Sequence, residues 1–355
     1  MNRIYALALA LVTLIAPLGA QQDKIVSKDG KERLAKISSE DYDGLKLSVE
    51  GGSTTIPWRD VDSIRYANAT KYHEALDAFL TASAADALEK LQPLAADDKL
   101  RPVLRHGVLY HLGLTEERLG NTDEAIQALQ TLLTDFPRSR YLVSAGSHLL
   151  ALNVAKGDPS GAAKFLETTL SSARSGGGAG QASFDFLRGR ILEEQKKFAD
   201  AQRTYEGVSS SGADPELAFA AKLALARCAQ KDNKTNDAQR RYRELVTADA
   251  PSDVLAGAWN GLGDLALAEA AQKRDQEGMR YALFAYLRGV VLYVPDRRGS
   301  SEEYERALAG AAKAFKGVGE LDSDAARKKT FLTRAQQLRA QLAAEYPRSR
   351  HLEGL

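Results

Sequence analysis

The sequence predicts a mostly α protein: an α–α superhelical solenoid of about six to seven helix pairs, preceded by a small five-stranded, barrel-like β module. Three observations carry that reading. A small residue recurs at Ala87, Ala125, Ala162, Ala201, Ala238, Ala282 and Ala335, at intervals of 38, 37, 39, 37, 44 and 53 residues. A bulky residue follows four positions later at Leu91, Leu129, Leu166, Tyr205, Tyr242 and Tyr286, and Arg339 breaks the pattern in the last unit. Between residues 24 and 66 the period is two instead, with Leu45, Leu47 and Val49 on one face of a strand.

Taken in order, residues 1–20 read as a secretory signal. Arg3 supplies the positive end, residues 4–16 form an apolar run, and Pro17-Leu-Gly-Ala20 closes on a small residue. The run is shorter than the roughly 20 apolar residues a bilayer span needs. Gln21 stands where a lipoprotein would carry cysteine. A periplasmic or secreted chain, with no transmembrane span after cleavage, is the expectation.

The β module is expected over 21–68. Turns fall at Lys28-Asp-Gly30 and Gly51-Gly52, and Pro57 belongs at a strand end because it cannot donate to a ladder. A unit of this size is marginal alone, so it should pack on the helices or pair with another chain. The turn spacing resembles a small SH3-like or Sm-like barrel. Trp58 reads as a core aromatic, or as a ligand-stacking residue.

The helical repeats are expected over 69–355, interrupted by a glycine-rich loop at 175–180. The clearest unit carries Leu112-Gly113, Leu119-Gly-Asn121, Glu124-Ala-Ile126, Leu129, Leu132 and Pro137. Gly113 and Ala125 let the two helices approach, Gly120 permits the turn, and Pro137 stops the second helix. Trp259-Asn-Gly-Leu-Gly263 repeats the first-helix pattern. Asp135-Phe-Pro-Arg-Ser-Arg-Tyr141 and Glu345-Tyr-Pro-Arg-Ser-Arg-His351 are near copies of one junction. These residues resemble the tetratricopeptide-repeat (TPR-like) family. The Phe/Tyr-Pro-x-Ser junction is similar to that of exported cell-envelope members such as the Tol-Pal coordinator.

Composition excludes several function classes. Lys and Arg total 48 against 47 Asp and Glu, and loss of Arg3 with the leader gives 48 − 1 = 47, a balanced chain. That balance offers no general attraction to nucleic acid. Cys228 is the only cysteine and sits in an apolar helical run, as a buried structural thiol would. His106 and His111 are five apart, off the three-or-four spacing of a helical metal pair. The glycines after Ser175 lack the lysine of a phosphate loop. No nucleophile motif appears, so no enzyme activity, cofactor or metal is expected.

The TPR resemblance implies a protein-protein interaction scaffold in which first helices line a concave groove. Carried over, that geometry nominates Tyr110, His111, Leu114 and Arg118, then His148, then Phe186, Arg190 and Glu194, then Arg227 and Lys231, then Asn260 and Asp264. Arg190, Arg227 and Lys231 form a positive strip suited to a carboxylate or acidic peptide. The expected partner is a protein or peptide of the cell envelope. The alternative is a ligand- or glycan-binding accessory module working through the β unit, with the helices as spacer.

Overall fold

The computed structural model describes residues 22–81, 83–173, 179–212, 214–295, 302–347 and 349–355. The leader read at 1–20, and the glycine-rich loop as far as Gly178, lie outside the described residues. Ala179 and Gly180, expected in that loop, instead open a helix.

Five strands come first: β1 (Asp23–Ser27), β2 (Glu32–Asp41), β3 (Gly44–Val49), β4 (Gly52–Ile56) and β5 (Val61–Arg65). They form one antiparallel sheet in the order β4-β3-β2-β1-β5. The sheet is not closed into a barrel, since β4 and β5 stand at opposite edges. Pro57 ends β4, and a 3-10 turn at Trp58–Asp60 leads into β5. The Trp58 indole donates to the Asp41 carbonyl at 2.7 Å.

Alternation buries Ala35, Ile37, Leu45 and Leu47 and turns Leu34 outward, while Val49, on the same face as Leu45 and Leu47, is exposed at the end of β3. A bulge then shifts the register between Ile37 and Ser39. One extra residue moves the side chains that follow to the other face. Glu40 is thereby turned inward, with its side chain 1% exposed.

Fourteen helices follow among the described residues. They are α1 (Thr70–Thr81), α2 (Ala84–Ala95), α3 (Pro102–Leu119), α4 (Thr122–Asp135), α5 (Leu142–Ala155), α6 (Pro159–Ala173) and α7 (Ala179–Glu194). Then come α8 (Phe198–Ser210), α9 (Pro215–Lys231), α10 (Thr235–Val246), α11 (Ser252–Lys273), α12 (Gln276–Leu292), α13 (Glu302–Leu321) and α14 (Ala325–Glu345). Each odd-numbered helix packs on the even one after it. Odd helices also stack on one another, α5 on α7, α7 on α9, α9 on α11 and α11 on α13. This is a TPR-like array of helix pairs.

The pairing rests on a knob and a hole. A Cβ on Gly113 would lie 2.8 Å from the Leu129 side chain, and one on Gly189 would lie 2.5 Å from the Tyr205 ring. Glycine is required because no side chain fits under the knob. The knobs Leu91, Leu129, Leu166, Tyr205, Tyr242 and Tyr286 are all buried, as are the small partners from Ala87 through Ala282. In α14 the buried residue is Leu342, with Arg339 exposed, so the seventh pair departs from the pattern as its sequence does. Gly120 turns α3 into α4 in the left-handed conformation, and Pro137 follows the end of α4.

The β module packs on the helices and shares their core. Ile25, Ile37 and Leu47 cluster with Tyr72, Ala75, Leu104 and Val108. Asp23 binds Arg101 through two contacts of 2.8 Å and accepts from the Ile37 and Ala67 amides. Burial opposes its ionisation, but Arg101 and the amides outweigh that and lower its pKa. Glu40 meets Arg140 at 3.2 Å and His106 at 3.4 Å. Tyr42 donates its amide to the Arg138 carbonyl at 3.0 Å, and its ring presses on Gly180, where a Cβ would sit 2.4 Å away. Helix α7 can begin beside the sheet only because residue 180 is glycine.

Candidate functional site

The inner face of the array is built by the odd-numbered helices, and its chemistry changes along the stack. Near α3 it is aromatic. Tyr110 stacks on Tyr141 with ring centroids 4.3 Å apart, and burial pushes its hydroxyl up to about 12. His111 lies edge-on to Phe79 at 4.8 Å, with Nδ1 2.6 Å from the Gly107 carbonyl oxygen. Burial holds its imidazole down at about 4, so it is neutral at ordinary pH. The Arg118 guanidinium lies 4.0 Å above the Phe79 ring and donates to the Phe79 carbonyl at 3.1 Å. Leu114 is buried, and His148 pairs with Glu117 at 2.8 Å.

From α7 onward the face becomes a network of charges. Tyr205, the knob of the fourth pair, places its hydroxyl 3.2 Å from Glu193. Glu193 also accepts from Lys231 at 2.9 Å. Burial opposes ionisation of Glu193, but Arg227, Arg190 and Lys231 outweigh it and hold the carboxyl at about 2. Arg227 lies 3.8 Å from Glu303 of α13. Glu303 in turn accepts from Asn260 at 2.9 Å and from Arg306 at 3.3 Å. Arg306 continues to Asp264, which accepts from the Tyr286 hydroxyl at 2.5 Å. Six helices, α7, α8, α9, α11, α12 and α13, thus share one connected set of carboxylates, guanidiniums and phenols.

This arrangement changes the meaning of the nominated residues. The strip of Arg190, Arg227 and Lys231 is on the inner face, but Glu193 and Glu303 already neutralise much of its charge. Asn260 is fully buried and Asp264 is engaged twice, so both hold α11 to its neighbours. Phe186 is 5% exposed and packs on Tyr205 at 5.5 Å, which makes it core. Tyr110 and His111 bind α3 to the α4–α5 junction. Glu194 remains half-buried on the inner side.

Glu303 and Arg306 were not expected from the sequence. Nothing local in the sequence reveals that α13 folds back onto α9 and α11. Asp23 and Glu40, which fix the β module, were missed for the same reason.

After α14, Tyr346, Leu352 and Leu355 pack against Tyr304, Leu308 and Leu342 of the last helix pair. Elsewhere, a cleft of about 520 Å³ runs between β1, β5 and the start of α1, lined by Lys24, Arg65, Tyr66 and His73. Cys228 is fully buried, and burial pushes its thiol up to about 12, far from the reactive range. Among the described residues no helix is long and apolar enough to cross a membrane.

Residues 108–139 match the tetratricopeptide repeat family model, which covers the unit with the clearest motif. The chain is also similar to several solved structures. BtubC (BKLC) from P. vanneervenii is 18% identical, with 64% of this chain and 91% of that chain covered and a TM-score of 0.41. A tetratricopeptide repeat protein from Parabacteroides merdae is 14% identical, with 75% and 99% covered and a TM-score of 0.41. PilW, a type IV pilus biogenesis factor, is 15% identical, with 70% and 96% covered and a TM-score of 0.40. No curated protein matches the sequence.

Proposed function

We propose that the protein is an exported cell-envelope scaffold that binds protein partners along the inner face of its helical array. One observation carries the reading: the odd-numbered helices stack into a face that presents ionic and aromatic side chains. Such a surface suits an extended or helical peptide, whose backbone and alternating side chains find partners from successive helices. Tyr, Arg and carboxylate side chains supply the amphipathic contacts that interfaces favour. Export is supported by the charged and apolar segment at 1–20, and the mature chain should begin near Gln21.

The test is site-specific photo-crosslinking in cells. A photoreactive residue at Glu194, on the inner face, should capture a discrete partner. One at Arg240, on the exposed outer side of α10, should not. Capture from Arg240 and none from Glu194 would place recognition on the outer face and refute the groove.

A further inference from the structure

The outer side of the sixth helix pair carries an apolar stripe that the inner face does not use. Eight large hydrophobic side chains stand exposed among the described residues, and five of them crowd into one short stretch: Tyr281, Phe284, Val291, Leu292 and Val294. Exposed apolar residues scattered singly are ordinary, but a contiguous cluster marks an interaction surface. The first four lie on α12. Glu277, Tyr281, Phe284, Arg288 and Val291 follow one another at intervals of four, three, four and three residues. That is the spacing of a coiled-coil seam, which needs a second helix to cover it. The opposite side of α12, with Met279, Ala282, Leu283 and Tyr286, is already buried against α11 and α13.

The charges on the stripe say what covers it. The Arg288 guanidinium is held between two rings, 4.1 Å from the centre of Trp259 and 4.6 Å from that of Phe284. The rings fix the cation in place without neutralising it. Among the described residues no carboxylate pairs with it. Glu277, three turns earlier on the same stripe, has a side chain 80% exposed and meets Arg280 at 2.8 Å. The stripe thus offers one cation near its middle, one anion at its start and two aromatic rings between them.

This pattern is complementary to itself under a two-fold rotation. Two copies of α12 can pack antiparallel about an axis between Ala282 and Leu283. Tyr281 of each copy then faces Phe284 of the other, and Glu277 faces Arg288. Each contact occurs twice, as an isologous interface requires. Val291 and Leu292 fall over the Lys273-Arg274 turn of the second copy, whose aliphatic stems can cover them while the charges stay in water. Sliding the helices to set Phe284 against Val291 would instead bring the two Arg288 side chains together at the axis. Like charges there select the first register.

We infer that the outer face of α12 is a self-association surface, through which two copies of this chain form a two-fold dimer held by Tyr281–Phe284 and Glu277–Arg288 contacts. One helix per copy makes a small contact beside the roughly 800 Å² per partner of a standard interface. The dimer therefore dissociates on the order of 10 µM rather than at nM. It leaves the odd-numbered helices free, so a dimer presents two inner faces, and a partner carrying two binding segments gains avidity. The inference stands on α12 alone and does not depend on what the inner face binds.

The test is sedimentation velocity on the chain as purified from cells, from about 1 to about 200 µM, with circular dichroism checking that each variant keeps its helical content. The unaltered chain should pass reversibly from monomer to dimer. Phe284→Glu should raise the dissociation constant at least about tenfold, since it sets a charge against the aromatic contact twice. Glu277→Arg and Arg288→Glu should each weaken the dimer by about fivefold or more, because each creates two like-charge pairs across the axis. The double variant Glu277→Arg, Arg288→Glu restores opposite charges in the same geometry and should associate more tightly than either single variant. A chain still monomeric at about 200 µM overturns the inference. So does a dimer indifferent to Phe284→Glu, or a double variant no tighter than the single ones.

Discussion

The first three helix pairs and the next three share one packing geometry, yet different side chains fill it. In α1–α6 the knobs are Leu91, Leu129 and Leu166, which need no hydrogen-bond partner. In α7–α12 they are Tyr205, Tyr242 and Tyr286. A phenol reaches past the glycine hole and needs a partner for its hydroxyl. Glu193, Gln230 and Asp264 supply it. Two of those partners are carboxylates, and a buried carboxylate requires a cation. Arg227, Lys231 and Arg306 meet that need, and Glu303 balances the arginines. Changing leucine to tyrosine thus turns a hydrophobic contact into an ionic network, and the network becomes the inner face of the later half.

The largest expected effect comes from breaking that network at its centre. Arg227→Ala leaves Glu193 and Glu303 facing each other without their shared cation. It should cost about 3–5 kcal/mol, measured by urea unfolding. A loss under about 1 kcal/mol would show that water or Arg190 replaces it. The corresponding change in the earlier half is Leu129→Ala, which opens a cavity under Gly113 and should cost about 2–5 kcal/mol with no salt dependence. Ala125→Leu, at the same crossing, should overpack it by about 1–3 kcal/mol. Tyr242→Phe removes only a hydroxyl bonded to Gln230, and should cost about 0.5–1.5 kcal/mol.

The finest distinction between the halves is one of pH. The imidazole of His111 is held at about 4, below its ordinary 6.5. The unfolded chain binds the proton more readily in that window, so stability is full above pH 6.5 and falls toward pH 4. Glu193 is held at about 2 against 4.5, so its contribution is present above pH 4.5 and lost toward pH 2. His351, also lowered to about 4, shares the upper window. His111→Gln should flatten the slope between pH 6.5 and 4 by a fraction of a proton and leave the lower window unchanged. Glu193→Gln should do the reverse. Thermal melts across both windows check this.

Much of the repeat geometry was legible because knob, hole and turn are local. Gly113 lies under Leu129 and Gly189 under Tyr205, each within a short stretch of chain. The inner face was legible only as a list of positions. Arg190 and Arg227 can be assigned to one side of a helix from spacing, but their partner Glu303 comes from α13, brought close by the curl of the whole array. The sheet repeats the lesson. Leu45 and Leu47 announce their burial by alternation, whereas Glu40 is turned inward by a bulge that no residue type marks. Tyr42 against Gly180 is equally invisible, because the glycine sits in a stretch whose composition reads as a loop.

The most direct test of the difference between the halves is a double-mutant cycle on Arg227→Met and Glu303→Gln. The 3.8 Å separation of Arg227 and Glu303, and their shared neighbours, predict a coupling energy within the 0.5–3 kcal/mol range of residues in one network. The coupling should grow when Glu193→Gln is added, because that carboxylate competes for the same guanidinium. Additivity within about 0.3–0.5 kcal/mol, with or without Glu193, would mean that the two side chains act independently. The ionic network would then be a set of separate pairs, and the contrast between the halves would reduce to the choice of knob.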